Sequence, residues 1–229
     1  KDQAAPKPAA KPLPPCLVCD WTGAETPSVL YRLDPNTGEA TKIGPIGNWT
    51  VVDLLGKDPS RGILYGLGAR ESKAHLLRID PATGAVQATL ELPRWVSALT
   101  DHRDTLYGVG DGFLLRIDPD AKRIEEIKLK GEGPRTIGPL LFAEGDDGLA
   151  TVLVDGKTAL AAVRFGDKAV RVIGPIGFEQ INSLELLNDQ LYGVTDGGRV
   201  IRIDPKTGRG QAVLVTDSAH HWGGVTRWA

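Results

Sequence analysis

The sequence contains no methionine, two cysteines and no long apolar run. Without a stretch of about 18 consecutive apolar residues, no segment is expected to cross a membrane as a helix. The charge is nearly balanced, with 27 basic and 29 acidic residues, so the chain lacks the positive excess that binds nucleic acid or anionic surfaces. We therefore expect no nucleic-acid partner and no transmembrane segment.

The absence of methionine extends to position 1, since the chain begins Lys1-Asp2-Gln3. This start is typical of a chain trimmed from a precursor, as happens when a secretory signal peptide is removed, and an engineered start is the alternative. Two cysteines are compatible with export but do not require it. We expect an extracytoplasmic location, either secreted or periplasmic.

Cys16 and Cys19 form a Cys-x-x-Cys motif. Asp20 follows the second cysteine where haem attachment needs histidine, and no second cysteine pair is present to complete a zinc site. Redox-active motifs of this kind lie at a helix N-terminus, whereas this one enters a predicted strand. We expect either a local structural disulfide or two inert thiols.

Residues 1–15, KDQAAPKPAAKPLPP, are dominated by Lys, Ala and Pro. Proline fixes φ and has no N–H, so this composition favours an extended, solvated segment. Two interpretations stay open, a disordered tail or linker and an arm that lies on a partner. Residues 16–229 are expected to form one domain.

What the chain has in abundance is glycine and proline, 28 and 16 residues, between short runs rich in Val, Ile, Leu and Tyr. Such runs are typical of short β-strands. Nearly the same string recurs as LYRLDPNTG, LLRIDPATG, LLRIDPDAK and VIRIDPKTG, at 30–38, 76–84, 114–122 and 200–208. Asp at a turn start, Pro at the next position and a final Gly predict a hairpin. Metal binding by the aspartates is the alternative, but equivalent hairpins of separate units would lie too far apart to share an ion.

Each unit contains four strand-like runs, and a degenerate unit without Asp-Pro occupies 136–177. First-strand positions recur at intervals of 45, 41, 44 and 41 residues; they are Val52, Ser97, Gly138, Asn182 and Gly223. This period with four strands per unit is typical of β-propeller blades. Residues 17–35 align without gaps with 63–81, and 220–228 resemble a first strand. The sequence thus predicts an all-β, five-bladed propeller with four-stranded blades, closed by a C-terminal innermost strand.

The repeat resembles that of β-propeller proteins whose units read LYG…L.RIDP.TG…IG.IG, a pattern common in secreted bacterial propeller domains. Residues 64–93, 106–130 and 191–215 match it best, and the resemblance extends over 16–229. It implies the fold and little about function, because members of this group have many roles. Residues 136–177 depart from the pattern.

In a propeller, the loops that precede the innermost strands meet at one mouth of the central channel. In this chain those loops are rich in Trp and Arg, residue types that dominate binding hot spots. The candidate binding residues are Trp49, Arg94, Trp95, Arg135, Glu179, Gln180, His220, His221 and Trp222. The alternative is structural, with the tryptophans wedged between blades and the arginines on a solvated rim.

The chain has no nucleophile elbow, phosphate loop or His-Glu-x-x-His motif, and nothing in it indicates a cofactor. A metal at His220 and His221 would need Glu179 or Asp53 as further ligands, and neighbours on a strand point to opposite faces. The first hypothesis is a non-catalytic scaffold or accessory subunit of an exported assembly, which binds a protein through the mouth or the N-terminal arm. The alternatives are a lectin-like propeller for a small ligand or glycan, and a hydrolase or lyase centred on His220, His221, Glu179 and Arg135.

Overall fold

The computed structural model describes residues 11–21, 26–129, 137–142, 147–164, 166, 169–216 and 221–228. These residues form twenty strands and one short 3-10 turn, Pro59–Arg61. The strands pair into five four-stranded antiparallel sheets. The predicted all-β, five-bladed propeller is confirmed. In the described part of the chain, no helix is long and apolar enough to span a membrane.

The strands are numbered in chain order. The first ten are β1 Cys16–Asp20, β2 Val29–Leu33, β3 Ala40–Pro45, β4 Thr50–Asp58, β5 Ile63–Arg70, β6 Lys73–Ile79, β7 Val86–Glu91, β8 Ala98–His102, β9 Thr105–Gly110 and β10 Phe113–Asp118. The others are β11 Arg123–Lys128, β12 Ile137–Phe142, β13 Asp147–Val154, β14 Lys157–Arg164, β15 Ala169–Pro175, β16 Ile181–Leu187, β17 Gln190–Thr195, β18 Arg199–Ile203, β19 Gly210–Val215 and β20 Trp222–Arg227.

The five sheets are the blades, which we number I to V around the ring. Blade I contains β20, β1, β2 and β3 in that order, and blades II, III, IV and V contain β4–β7, β8–β11, β12–β15 and β16–β19. Strands β4, β8, β12, β16 and β20 each contact the equivalent strand of both neighbouring blades. They therefore form the inner ring around the channel.

The ring closes through the two ends of the chain, as the repeat spacing predicts. β20 pairs antiparallel with β1, with Cys16 opposite Arg227 and Val18 opposite Val225. Trp222, at the start of β20, is fully buried. Blade I therefore has no open inner edge, because the C-terminal strand occupies it.

The hydrophobic core is divided into five clusters, one between each pair of neighbouring blades. Leu67 and Leu115 belong to the cluster between blades II and III, and both are fully buried. A leucine side chain removed from water contributes about 1.5–3 kcal/mol. The apolar alternation of the strands thus stabilises the packing of blade on blade.

The repeated Asp-Pro motif forms the hairpin between the third and fourth strands, as predicted. In three blades the final glycine donates its N–H to the aspartate carbonyl at 2.8 Å; the pairs are Gly38–Asp34, Gly84–Asp80 and Gly208–Asp204. These glycines have φ of 79–82°, a region that favours glycine. The Asp34 carboxylate accepts the N–H of Asn36 at 2.8 Å, and hydrogen bonds from Asn36 lower the pKa of that carboxyl. The motif is a turn.

Candidate binding site at the channel mouth

A cavity of about 330 Å³ lies at the end of the channel where the innermost strands begin. All five blades contribute to it through one equivalent position each; these residues are Val52, Ser97, Gly138, Asn182 and Gly223. They are the positions that the repeat spacing aligns as first-strand equivalents. The cavity is also lined by Trp21, Trp95, Gln180 and Asp196. We call this space the mouth cavity.

Two exposed tryptophans line the mouth cavity. The Trp95 side chain, in the loop before β8, is 52% exposed, and that of Trp21, directly after β1, is 39% exposed. They belong to parts of the ring that are not adjacent, blade I and the entrance to blade III, so the two indoles approach the cavity from different sides. Large amphipathic surfaces of this kind are suited to contact with a ligand or partner.

Trp21 was not among the candidates predicted from the sequence. The gapless alignment of 17–35 with 63–81 matches Trp21 with Leu67. Leu67 is buried inside strand β5, so the alignment predicts that Trp21 also lies inside a strand. In the structure Cys16 pairs with Leu33 and Leu64 pairs with Ile79. The spacing between paired residues is therefore two residues larger in blade I, and Trp21 lies in the longer connection. The similarity between the strand sequences does not indicate how long the connection between β1 and β2 is.

Three polar residues form a connected rim where blades V and I meet. The Asp196 backbone N–H donates to the Gln180 carbonyl at 2.9 Å, and Trp21 N–H donates to the His221 carbonyl at 2.6 Å. His221 Nδ1 lies 3.4 Å from Asp196 Oδ1. Gln180 has a φ of 52°, an uncommon value for a residue other than glycine. Gln180 and His221 were predicted for the mouth, whereas Asp196 was not among the candidates.

Trp49 and Trp222 do not line the mouth cavity, although the sequence placed both there. Trp49 is 8% exposed, and its ring centroid lies 4.8 Å from that of His75. Trp222 is fully buried and donates from Nε1 to Thr216 Oγ1 at 2.8 Å. Each of the two side chains belongs to an apolar cluster at a blade boundary, so both are packed between neighbouring blades. The structural alternative applies to these two tryptophans.

Arg94 and Glu179, both predicted for the mouth, do not line the mouth cavity. Arg94 Nη1 lies 3.1 Å from Glu126 Oε1, and the guanidinium stacks 3.9 Å from the Phe113 ring centroid. Glu179 lines a second space of about 500 Å³, which we call the outer groove. Lys157 and Arg199 also line the outer groove. The outer groove adjoins the mouth cavity at the turn after β17, where Asp196 lines the mouth cavity and Gly197 lines the outer groove.

The residues predicted for a catalytic or metal centre are not gathered in the described part of the chain. Arg135 and His220 lie outside the described residues. Asp53 is buried, and its Oδ2 accepts the N–H of Leu99 at 2.6 Å; burial raises the pKa of this carboxyl well above its ordinary value. Over the described residues, no three side chains of His, Cys, Asp or Glu are grouped to hold a metal ion.

Both cysteines are free and buried, so the disulfide alternative is wrong. They lie three residues apart on β1 and point to opposite faces of the blade. Cys16 belongs to the cluster between blades V and I, and Cys19 to the cluster between blades I and II. Three residues of strand span about 10 Å, and a disulfide requires Cα atoms within about 7 Å. Burial raises the pKa of Cys16 to about 12 and also raises that of Cys19. Neither thiol forms a reactive thiolate at neutral pH.

The described part of the N-terminal segment, residues 11–15, lies at the opposite end of the channel. Asn36 binds the Leu13 backbone through two hydrogen bonds of 2.8 and 2.9 Å, and Asn188 Nδ2 donates to the carbonyls of Lys11 and Pro12. Asn36 belongs to the β2–β3 hairpin and Asn188 to the β16–β17 turn. The hairpin follows the third strand of blade I, and the turn follows the first strand of blade V. First and third strands begin at the end of the channel that carries the mouth, so both turns lie at the other end. Residues 11–15 therefore leave the mouth cavity clear.

No protein-family model and no curated protein sequence matches this chain. Among solved structures, TolB from Acinetobacter baumannii matches with a TM-score of 0.55 at 13% identity, over 89% of this chain and 53% of that one. A bifunctional GH43-CE protein from Bacteroides eggerthii matches with a TM-score of 0.61 at 14% identity, over 87% of this chain and 34% of that one. This chain thus spans about half and one third of the two proteins. At such identities the likeness shows the propeller fold alone.

Proposed function

We propose that this protein is a non-catalytic binding propeller that docks a protein partner at its channel mouth, as an accessory subunit or scaffold of an extracytoplasmic assembly. The observation that carries the proposal is the exposure of Trp21 and Trp95 around one cavity to which all five blades contribute. Tryptophan gives a large contact area with few rotatable bonds, and it is enriched at the centres of protein interfaces.

The surroundings of the mouth cavity also suit a partner that inserts one group and spreads beyond it. The outer groove adjoins the cavity and has charged side chains of both signs, Lys157, Arg199 and Glu179. Interfaces commonly combine a central aromatic anchor with a polar rim of this kind. Residues 11–15, bound to the far end, do not compete for this surface.

Cross-linking in the native host tests the proposal. A photoreactive amino acid at position 95 is expected to capture one predominant protein, whereas the same group at position 120, in a hairpin on the opposite face, is expected not to capture it. The captured protein is then purified, and its dissociation constant is measured for wild type, Trp95→Ala and Trp21→Ala. Each substitution is expected to weaken binding about 30-fold, since an aromatic hot spot contributes about 2 kcal/mol.

Val213→Ala is the matched control, because Val213 is an apolar residue that is 47% exposed on the outermost strand β19 and lines neither the mouth cavity nor the outer groove. It is expected to leave the dissociation constant unchanged. Equal weakening by Val213→Ala and Trp95→Ala, or capture from position 120 alone, would contradict docking at the mouth.

A small ligand or glycan is the second candidate, favoured by the volume and lining of the mouth cavity. A space of about 330 Å³ is at the lower end of the range for small-molecule sites, and Asn182 and Ser97 place polar side chains beside the tryptophans. The five equivalent positions do not repeat one polar or aromatic residue, since two are glycine and the others are Val, Ser and Asn, which favours one site at the mouth over a repeated site in every blade. Saturable binding of a monosaccharide panel, lost in Trp95→Ala, would support this candidate over the first.

A further inference from the structure

The described side chains that line the mouth cavity include one charged group, the carboxylate of Asp196. The hydrogen bond from its backbone N–H to the Gln180 carbonyl holds this residue at the rim. A carboxylate in a concave, partly desolvated site attracts positive charge more strongly than one on an open surface. The charge of the lining therefore favours a cation.

Asp196 Oδ1 is buried and makes no hydrogen bond to the described residues. The nearest basic atom among them is His221 Nδ1 at 3.4 Å, and the His221 side chain is itself 56% exposed. A buried carboxylate oxygen without a donor is costly. The Asp196 side chain as a whole is 23% exposed, so a guanidinium or ammonium group in the cavity can pair with the accessible part of the carboxylate and supply the opposite charge.

The two indoles provide the second half of a cation site. Trp21 is bound through its backbone to His221, the neighbour of Asp196, and Trp95 lines the cavity from another side. A cation over the face of tryptophan gains about 0.5–2 kcal/mol. An arginine suits this combination best, because its planar guanidinium can stack on an indole and donate to a carboxylate at the same time.

We propose that the mouth cavity accepts a basic side chain, preferably arginine, of the protein partner, with Asp196 as the anionic contact and Trp21 and Trp95 as the aromatic walls. This inference rests on the proposed function and names the chemistry of the group that the partner inserts. It also predicts what the mouth discriminates against. A neutral group of the same shape brings no positive charge to the Asp196 carboxylate, so it is expected to bind more weakly.

The test compares two synthetic pentapeptides, acetyl-Gly-Gly-Arg-Gly-Gly-amide and its counterpart with citrulline, which has nearly the same shape and no charge. Binding is followed by NMR through the indole N–H signals of the full chain. The arginine peptide is expected to shift the signals of Trp21 and Trp95 saturably, and the citrulline peptide to bind at least about tenfold more weakly. In Asp196→Asn the affinity for the arginine peptide is expected to fall to that of the citrulline peptide.

The matched control is Asp111→Asn, which alters an exposed aspartate at the equivalent turn of blade III that does not line the mouth cavity. This variant is expected to retain the arginine preference. Equal binding of the two peptides, no binding of either, or an unchanged preference in Asp196→Asn would overturn the inference. The wild-type comparison does not depend on the folding of a variant. Cross-linking from position 95 tests the proposed function separately, so docking at the mouth can stand while the arginine preference fails.

Discussion

At the scale of single residues, the inner ring is connected by polar side chains that reach from one blade to the next. Asp53 of β4 accepts the N–H of Leu99 in blade III, and Thr226 Oγ1 of β20 accepts the N–H of Gly56 in blade II at 2.8 Å. Ser183 of β16 donates to the Val225 carbonyl at 2.7 Å. These contacts satisfy backbone groups that the blades' own ladders leave free. The channel interior is therefore a structural network, distinct from the mouth cavity.

Glu185, on β16 in this network, makes the stability of the protein dependent on pH. Burial raises its pKa from 4.5 to about 7, against the opposing effect of a hydrogen bond with Thr226. Between these two values the Glu185 carboxyl binds more protons in the folded state than in the unfolded state, so its contribution to stability falls as the pH rises from 4.5 to about 7 and changes no further above. Glu185→Gln removes this loss. The variant is expected to exceed wild type by about 1–3 kcal/mol at pH 8 and to match it near pH 4.

Urea unfolding of both proteins across this pH range measures the effect. The control is Glu39→Gln, which alters an exposed glutamate in the β2–β3 hairpin and is expected to leave the curve of stability against pH unchanged. A constant difference between Glu185→Gln and wild type at every pH would show that Glu185 does not titrate differently in the folded state.

At the scale of elements, the Asp-Pro hairpin of one blade rests on a glycine in the outermost strand of the previous blade. In blades I and IV that strand carries the sequence Ile-Gly-Pro-Ile-Gly. A Cβ on Gly44 of β3 would overlap the carbonyl oxygen of Thr83 in the next hairpin, and a Cβ on Gly174 of β15 would overlap that of Thr207. The two motifs thus fit each other across the blade boundary, which explains why both recur.

Gly44→Ala is expected to destabilise the protein, because the methyl group meets backbone that cannot rotate away. Overpacking of this kind costs about 1–3 kcal/mol, which corresponds to a fall in Tm of about 2–12 °C for a chain of this size. Differential scanning calorimetry measures it. Gly166→Ala is the matched control, since a Cβ there would meet none of the described residues within 4 Å. Equal Tm values for the two variants would rule out close packing at Gly44.

At the scale of the whole molecule, the closure of the ring joins residues that are more than 200 positions apart. β20 supplies Trp222 and Val225 to the cluster between blades V and I and pairs with the whole of β1. Burial of each of these side chains contributes about 2–3 kcal/mol, a large part of the 5–15 kcal/mol that stabilises an ordinary domain. The ring is therefore expected to depend on its last strand.

Deletion of residues 222–229 is expected to abolish the cooperative thermal transition and to cause aggregation, because it removes this cluster's largest side chain and exposes the inner edge of β1. Circular dichroism and light scattering report the two effects. Deletion of residues 1–10, a similar length at the other end, is the control and is expected to leave the Tm unchanged. A truncated protein that melts like wild type would show that closure by β20 is not needed for stability.

The number of blades, the split closing blade and the position of the hairpins could all be predicted from the amino-acid sequence. These features follow from strand runs, turn residues and a spacing of 41–45 residues, which are local in the chain and repeat. The same spacing located the mouth cavity, since all five equivalent first-strand positions line it.

Which side chains reach that cavity could not be predicted from the sequence, because it depends on contacts between blades. Trp95 is exposed while Trp49, in an equivalent loop, is buried against blade II, and Trp21 enters from a connection whose length the repeat does not fix. Asp196 lines the cavity from the turn between β17 and β18, the second and third strands of blade V. The exposure of a side chain depends on what the neighbouring blade places against it, and contacts between blades connect residues that no local pattern relates.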